Sequence, residues 1–249
     1  MSRKILKVPT LKEQVYRHLK KAIIGGELES GKVYSEQWAA DLLGVSRTPV
    51  REAILQLKQE FFIDILPYKG FQMRELAPED VKETFQIRQA LEGFCVILIA
   101  QRCMEPSVCQ LLQDLEGYLN EQKDLARQGK VYEFMERDEM YHKKIIDYTG
   151  NERLISTYRD IRSRFELITV KVLTDPGRMD STVQEHMAIW EKMKEGQPWE
   201  AYQAIQVHLD RTQAVLHKKS TETLQKEEVR WGAEQAKDSF RSRSKQVQP

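Results

Sequence analysis

Apolar residues recur at helical spacing almost from the start of the chain. Leu11, Val15, Leu19 and Ile23 share one face, the three-to-four-residue rhythm of an amphipathic helix. Thr10-Leu11-Lys12-Glu13 opens this segment as a capping box, in which Thr10 and Glu13 each satisfy the other's backbone N–H. Gly25-Gly26 closes it. Ser35 is placed to cap a second helix, which runs through Leu43 and stops at Gly44. Ser46 is placed to cap a third, with Pro49 in its first turn, where a missing N–H costs little. From Phe62 the pattern becomes strand-like: Phe62-Ile63-Asp64-Ile65-Leu66, a turn Pro67-Tyr68-Lys69-Gly70, then Phe71-Gln72-Met73-Arg74. Three helices and a hairpin, with only Val45 between helices two and three, predict a winged helix-turn-helix.

Arg74 to Asp80 reads as a short linker with a helix starting at Pro78. Beyond it no strand-like run is bounded by turn signals. Helical segments are predicted at about 79–102, 106–127, 130–148, 151–174, 181–195 and 198–218, separated by Glu105-Pro106, Gly129, Gly150-Asn151, Asp175-Pro176-Gly177 and Gly196-Gln197-Pro198. Six amphipathic helices with short connections predict an antiparallel bundle. The fold class is therefore mainly α: a winged helix-turn-helix over residues 1–76, an all-helical bundle over 77–220, and a polar extension over 221–249. In that extension Leu224 and Trp231 are spaced to anchor one more helix, and Arg241-Ser242-Arg243-Ser244-Lys245 forms a basic stretch.

Composition narrows the class. With 249 residues, 41% hydrophobic and 31% charged, the chain is not disordered throughout and has room for two domains. The longest apolar run, Phe94 to Ala100, has seven residues, against the ~18 a membrane span needs. The start lacks the apolar core of a secretion signal, and Cys95, Cys103 and Cys109 form no CxxC pair. A cytoplasmic protein with reduced thiols and no membrane partner is expected. Residues 1–75 hold 13 Lys/Arg against 9 Asp/Glu, while the remainder holds 26 against 29. This modest front-loading of positive charge suits a nucleic-acid module joined to something else.

The third helix opens Ser46-Arg47-Thr48-Pro49-Val50-Arg51. In a helix-turn-helix these N-terminal residues meet base edges in the major groove. Arg47 and Arg51 lie four apart on one face, and an Arg can donate twice to guanine O6 and N7. Ser46, Thr48 and the helix N-terminus suit phosphate, and Lys69-Gly70 at the hairpin tip is placed to approach the adjoining minor groove. The alternative is that Arg47 and Arg51 are solvated charges paired with Glu52 or Asp41.

In the bundle, polar residues sit on apolar stripes. The stripe of the third bundle helix runs Phe134, Asp138, Tyr141/His142, Ile145; that of the fifth, Val183, His186/Met187, Ile189/Trp190, Met193; that of the sixth, Ala201, Ala204/Ile205, His208, Thr212, Val215. His142, His186 and His208 thus point inward with Asp138, whereas His217 faces elsewhere. Each histidine alone is read as a hydrogen-bonded core residue. Four such groups converging from three helices form an N/O set suited to a divalent metal ion, Zn²⁺, Ni²⁺, Mn²⁺ or Fe²⁺. Arg88 and Glu92 lie on the stripe Val81, Phe85, Arg88, Glu92, Cys95, Ile99, either as an i,i+4 ion pair or with Arg88 free to fork onto a carboxylate.

The phrase Gly44-Val45-Ser46-Arg47-Thr48-Pro49-Val50-Arg51-Glu52-Ala53, with Leu57 and Gly70, closely resembles the DNA-binding domain of GntR-family bacterial transcription regulators. That resemblance puts DNA contacts on Ser46, Arg47, Thr48 and Arg51, with Gly70 in the wing. The chain departs from the family pattern in two places. Gln37 stands where many members carry Arg or Lys, which weakens one backbone contact. Phe61 stands where many carry Gly, which predicts an altered helix-to-wing geometry or a Phe61 buried against the partner domain. Ile87-Arg88-Gln89-Ala90-Leu91-Glu92, Asp138 to His142, Thr149-Gly150-Asn151, Glu185-His186 and Ala204 to His208 resemble the metal-binding branch of the FadR C-terminal (FCD-type) ligand-sensing domain. This implies metal ligands at Asp138, His142, His186 and His208, an all-helical effector domain that dimerises, and Arg88 on a small carboxylate effector.

The expectation is therefore a homodimeric, metal-dependent and effector-responsive regulator, a repressor rather than an enzyme, on double-stranded operator DNA with an inverted repeat. Two other uses of the same residues stay open: a metallohydrolase built on the three-His, one-Asp set, and a regulator whose metal is only structural.

Overall fold

The computed structural model describes residues 9–29, 31–74 and 77–218. The expectations for residues 221–249 lie outside these. The N-terminal module consists of α1 (Leu11–Ile24), α2 (Glu36–Leu43), α3 (Arg47–Gln59), β1 (Ile63–Leu66) and β2 (Gly70–Met73). The second module consists of α4 (Pro78–Gln101), α5 (Pro106–Arg127), α6 (Val131–Asp147), α7 (Glu152–Leu173), α8 (Arg178–Lys194) and α9 (198–218). Among the described residues no helix is long and apolar enough to cross a membrane.

Local chemistry sets the boundaries. Thr10 Oγ1 accepts from the Glu13 N–H at 3.2 Å while a Glu13 carboxylate oxygen accepts from the Thr10 N–H at 2.8 Å. Ser35 caps α2 through the Trp38 N–H, and Gly44 ends it in the left-handed region at φ 63°, where a side chain would be strained. Ser46 occupies the N-cap position of α3, but its hydroxyl makes no capping bond. It is exposed instead.

β1 and β2 pair antiparallel from Ile63↔Met73 to Leu66↔Gly70, and Tyr34 adds a bridge to Phe71 through two backbone bonds of 2.8 Å. Gly70 sits beneath that bridge. A Cβ there would lie 2.1 Å from the Tyr34 carbonyl oxygen, so packing inside the wing alone requires glycine.

The modules pack on one another. Leu19 and Phe62 belong to one continuous apolar cluster with Phe134, Met135, Leu167 and Val170 of the bundle. Beside it Lys20 pairs with buried Glu166 at 2.5 Å, and Arg162 pairs with both Glu166 and Glu139 at 2.9 Å. Phe61 takes the left-handed conformation, φ 62°, that glycine would adopt without strain. Its ring lies 5.0 Å from the Arg74 guanidinium and 5.3 Å from that of Arg164. Phe61 thus keeps the backbone conformation of the glycine it replaces, and it is exposed rather than buried against the bundle as expected.

In the bundle, α8 begins three residues earlier than the pattern suggested. Gly177, at φ 74°, turns the chain so that Arg178 enters the first helical turn and becomes buried.

Candidate nucleic-acid interface and candidate metal centre

A groove of about 430 Å³ runs between the recognition helix and the wing, and Gln37, Arg47, Arg51, Lys69 and Gly70 all line it. Thr48 lines an adjoining hollow with the same two arginines. Ser46, Arg47, Thr48, Arg51, Gln37 and Lys69 are exposed. Gln37 donates to Asp41 at 2.7 Å.

The arginines are paired, but with neither Glu52 nor Asp41. Both reach Glu36 in the first turn of α2: Arg47 Nη2 at 3.2 Å, Arg51 Nη2 at 3.1 Å and Arg51 Nε at 3.2 Å. Hydrogen bonding from Arg51 holds the Glu36 carboxyl below its ordinary range; burial opposes it, and the weaker Arg47 bond and the charges of both arginines add to the lowering. Tyr68 at the wing tip is fully exposed with φ 61°. Sequence reasoning passed over it, since a tyrosine in a turn carries no distinctive signal.

In the bundle, the inward stripes of α6, α8 and α9 meet. One ring nitrogen from each of His142, His186 and His208 lies within 4.8 Å of the others, and all three residues are buried. Asp138 stands at the edge of this cluster, its carboxylate oxygens 3.6 Å from His186 Nε2 and 4.0 Å from His142 Nε2. The Nδ1 atoms are each engaged: His142 with Glu92 at 2.7 Å, His186 with Gln122 Oε1 at 2.9 Å, and His208 with Glu185 at 2.8 Å. These acceptors assign the proton to Nδ1 and leave Nε2 as a lone-pair donor. His142 Nε2 and His186 Nε2 are buried with no hydrogen-bond partner.

An orphaned buried polar atom costs about 1–3 kcal/mol. Two of them converging, with oriented partners behind, fit a cation between the rings. Tyr141 fixes the arrangement further by stacking on His186 at 4.5 Å and donating to the His186 carbonyl at 3.0 Å.

The electrostatics agree with this donor set. Burial lowers the pKa of all three imidazoles, keeping them neutral and able to coordinate. Burial also pushes Asp138 up to about 6, more than the nearby positive groups lower it. For Glu92, burial is outweighed chiefly by the Arg88 guanidinium and then His142, so the carboxyl stays well below its usual range. Glu185 is likewise held down against burial, by hydrogen bonds from His208 and Arg178.

Arg88 forms the i,i+4 ion pair with Glu92. Its Nε donates to Glu92 at 2.5 Å, while Nη1 and Nη2 are buried without partners. Its guanidinium lies over the Phe165 ring at 3.5 Å. A small cavity of about 10 Å³ is lined in part by Arg88, Asp138, Phe165, Arg178, His208 and Thr212. It is about the size of one water.

Arg178 is a second cation at this cavity. It forks onto Glu185 at 2.8 and 2.9 Å and reaches Thr212 at 2.8 Å. Starting the eighth helix at 181 hid it, because in a turn its direction could not be read. Gln122 was missed because a lone glutamine on an amphipathic helix gives no signal of its own.

A winged helix with exposed arginines, packed on a helical bundle with a buried polar centre, defines a DNA-binding regulator with a second, all-helical module. Residues 11–72 match the bacterial regulatory proteins of the gntR family, and residues 83–211 match the FCD domain. The chain belongs to the GntR family of transcription regulators and carries a C-terminal FCD domain, of a kind known to bind metals. It is 26% identical over 197 residues to the HTH-type transcriptional regulator YdhC of Bacillus subtilis, spanning 79% of this chain and 87% of that one. It is 28% identical over 162 residues to the gluconate operon transcriptional repressor of the same species, covering 64% of this chain and 65% of that one. Among solved structures, E. coli McbR/YncC superposes with a TM-score of 0.67 at 20% identity, over 86% of this chain and all of that one.

Proposed function

We propose that this regulator is a metal-dependent repressor that binds an inverted-repeat operator as a homodimer and responds to a small carboxylate. The observation that carries the reading is the set of unsatisfied buried groups in the bundle: the Nε2 atoms of His142 and His186 and both Nη atoms of Arg88. His142, His186, His208 and Asp138 would hold a divalent ion, which supplies Lewis acidity toward a carboxylate oxygen. Arg88, held by Glu92, would receive the same ligand with its free Nη edge. Ser46, Arg47, Thr48, Arg51, Gln37, Lys69 and Gly70 would face DNA. The name of the gluconate operon relative supports the choice of repressor.

The path between the two sites is short. On α6, Asp138 faces the metal cluster and its neighbour Glu139 faces Arg162. On α7, Phe165 lies over the cavity and its neighbour Glu166 binds Lys20 of the DNA-binding module. A ligand that moves either helix therefore strains this contact directly. A tenfold change in DNA affinity requires about 1.4 kcal/mol of such coupling, and DNA must weaken the ligand by the same factor.

The cavity's present size favours one rival, a purely structural metal with no effector. The test is metal analysis of the full chain. It is followed by melting and DNA-binding measurements of metal-replete protein with a panel of mono-, di- and tricarboxylic acids. The proposal requires bound metal and at least one acid that shifts both melting and DNA affinity. Bound metal with no acid response establishes the structural reading, and absence of metal binding refutes both.

A further inference from the structure

The two arginines of the recognition helix share one carboxylate, and the geometry of that sharing is specific. Arg51 meets Glu36 side-on, with Nε 3.2 Å from Oε1 and Nη2 3.1 Å from Oε2. Arg47 touches Oε2 through Nη2 alone, at 3.2 Å. A guanidinium carries five N–H donors. The side-on fork occupies Nε and one Nη2 hydrogen of Arg51, leaving its end-on edge, Nη1 with the second Nη2 hydrogen, unoccupied. That edge is the shape that bonds guanine O6 and N7 together. The arginine side chains remain 58% and 63% exposed, while Glu36 is only 23% exposed. Glu36 thus lies behind the arginines at the floor of the groove, with their outer edges toward solvent.

We infer that Glu36 is a specificity-determining positioning residue: it holds Arg47 and Arg51 as a preformed reading fork while subtracting one positive charge from the DNA face. Two physical effects follow, and they push in the same direction. An arginine fixed by a second partner loses less side-chain freedom when it meets the correct base, so specific binding gains. A carboxylate close to the phosphate backbone opposes sequence-independent attraction, which depends on net neutralised phosphates and on salt. Glu36 therefore widens the gap between correct and random sequences from both sides. It acts through the arginines rather than on DNA itself. The inference rests on the DNA-reading assignment above.

The test uses the full chain, a duplex enriched by that protein from a random-sequence pool, and a scrambled duplex of equal length and composition. Glu36→Gln keeps the size of the side chain and removes its charge. Glu52→Gln, at an exposed position of the recognition helix, removes a charge without touching the fork. The expected result for Glu36→Gln is tighter binding to the scrambled duplex and a salt dependence steeper by about one ion. The enriched-to-scrambled affinity ratio should fall about tenfold, the lower end of what one bidentate base contact supplies. Glu52→Gln should leave the ratio within a factor of two.

Equal falls in the ratio for both variants would make net charge the cause and overturn the inference. So would a Glu36→Gln protein with wild-type melting and an unchanged ratio, or one weakened equally on both duplexes. If the unmodified protein enriches no sequence at all, the DNA-reading assignment itself fails and takes this inference with it. That outcome is visible before any variant is measured.

Discussion

Gln122→Met is the sharpest probe of the metal centre, because it leaves every proposed ligand in place. Gln122 is fully buried, and its Oε1 accepts from His186 Nδ1 at 2.9 Å. Methionine preserves length and volume but cannot orient the ring. In the metal-free protein two effects oppose each other. The His186 N–H loses its acceptor, a cost of about 1–3 kcal/mol. The Gln122 amide nitrogen, however, is itself buried without a partner, and removing it relieves a penalty of the same order. Metal-free melting should therefore shift little.

Metal affinity should change much more, since loss of a ligand's outer hydrogen bond typically costs about 10–100-fold, or about 1.4–2.7 kcal/mol. At a free metal concentration about 1,000 times the wild-type Kd, metal stabilises the native state by about 4.1 kcal/mol. The variant would keep only about 1.4–2.7 kcal/mol of this at the same concentration. Chelator competition gives the affinity, and paired melts with and without metal give the stabilisation. Wild-type metal affinity in Gln122→Met, alongside its loss in His186→Ala, would refute the claim that the Nδ1 partners orient the donors.

Arg47→Ala should erase most of the preference for an enriched duplex over a scrambled one in anisotropy titrations, a loss of about 1–3 kcal/mol, and an unchanged preference would remove it as a base reader. Arg88→Ala should retain metal by elemental analysis yet lose any carboxylate-induced melting shift; a retained shift would leave Arg88 as only the ion-pair partner of Glu92. Gly70→Ala forces a Cβ to within 2.1 Å of the Tyr34 carbonyl, so the wing must open. Amide exchange at Tyr34 and Phe71 should accelerate and DNA affinity should fall, while metal binding persists, and wild-type protection at both amides would contradict the steric argument.

What the sequence disclosed and what it withheld divide along a physical line. Spacing within one helix is rigid, so the stripes bearing Asp138 with His142, and His186 and His208 on their own helices, were legible without coordinates. The same holds for Arg88 over Glu92 and for the recognition face of Arg47 and Arg51. Which helix supplies a partner from across the bundle is decided by tertiary packing. Gln122 behind His186 and Glu36 behind the arginines were invisible for that reason, and local candidates such as Glu52 and Asp41 were the wrong neighbours. Arg178 was hidden by a boundary error of one turn: Gly177 in the left-handed region starts α8 early and swings the side chain inward. Gly70 was legible as a wing residue, but the steric demand of the Tyr34 carbonyl depends on a bridge between segments far apart in sequence.

Phe61 carries a final consequence. A phenylalanine held at φ 62° carries about 1–3 kcal/mol of backbone strain that glycine would not. In exchange, one aromatic face serves Arg74, at the exit from the wing, and Arg164, on the bundle, contacts worth about 0.5–1 kcal/mol each where exposed. Strain and attraction are thus nearly matched at the joint between the winged helix and the bundle. Phe61 therefore adds little net stability at this joint, and the cohesion of the two modules falls to the apolar cluster around Leu19, Phe62, Phe134 and Leu167 and to the Lys20–Glu166 pair.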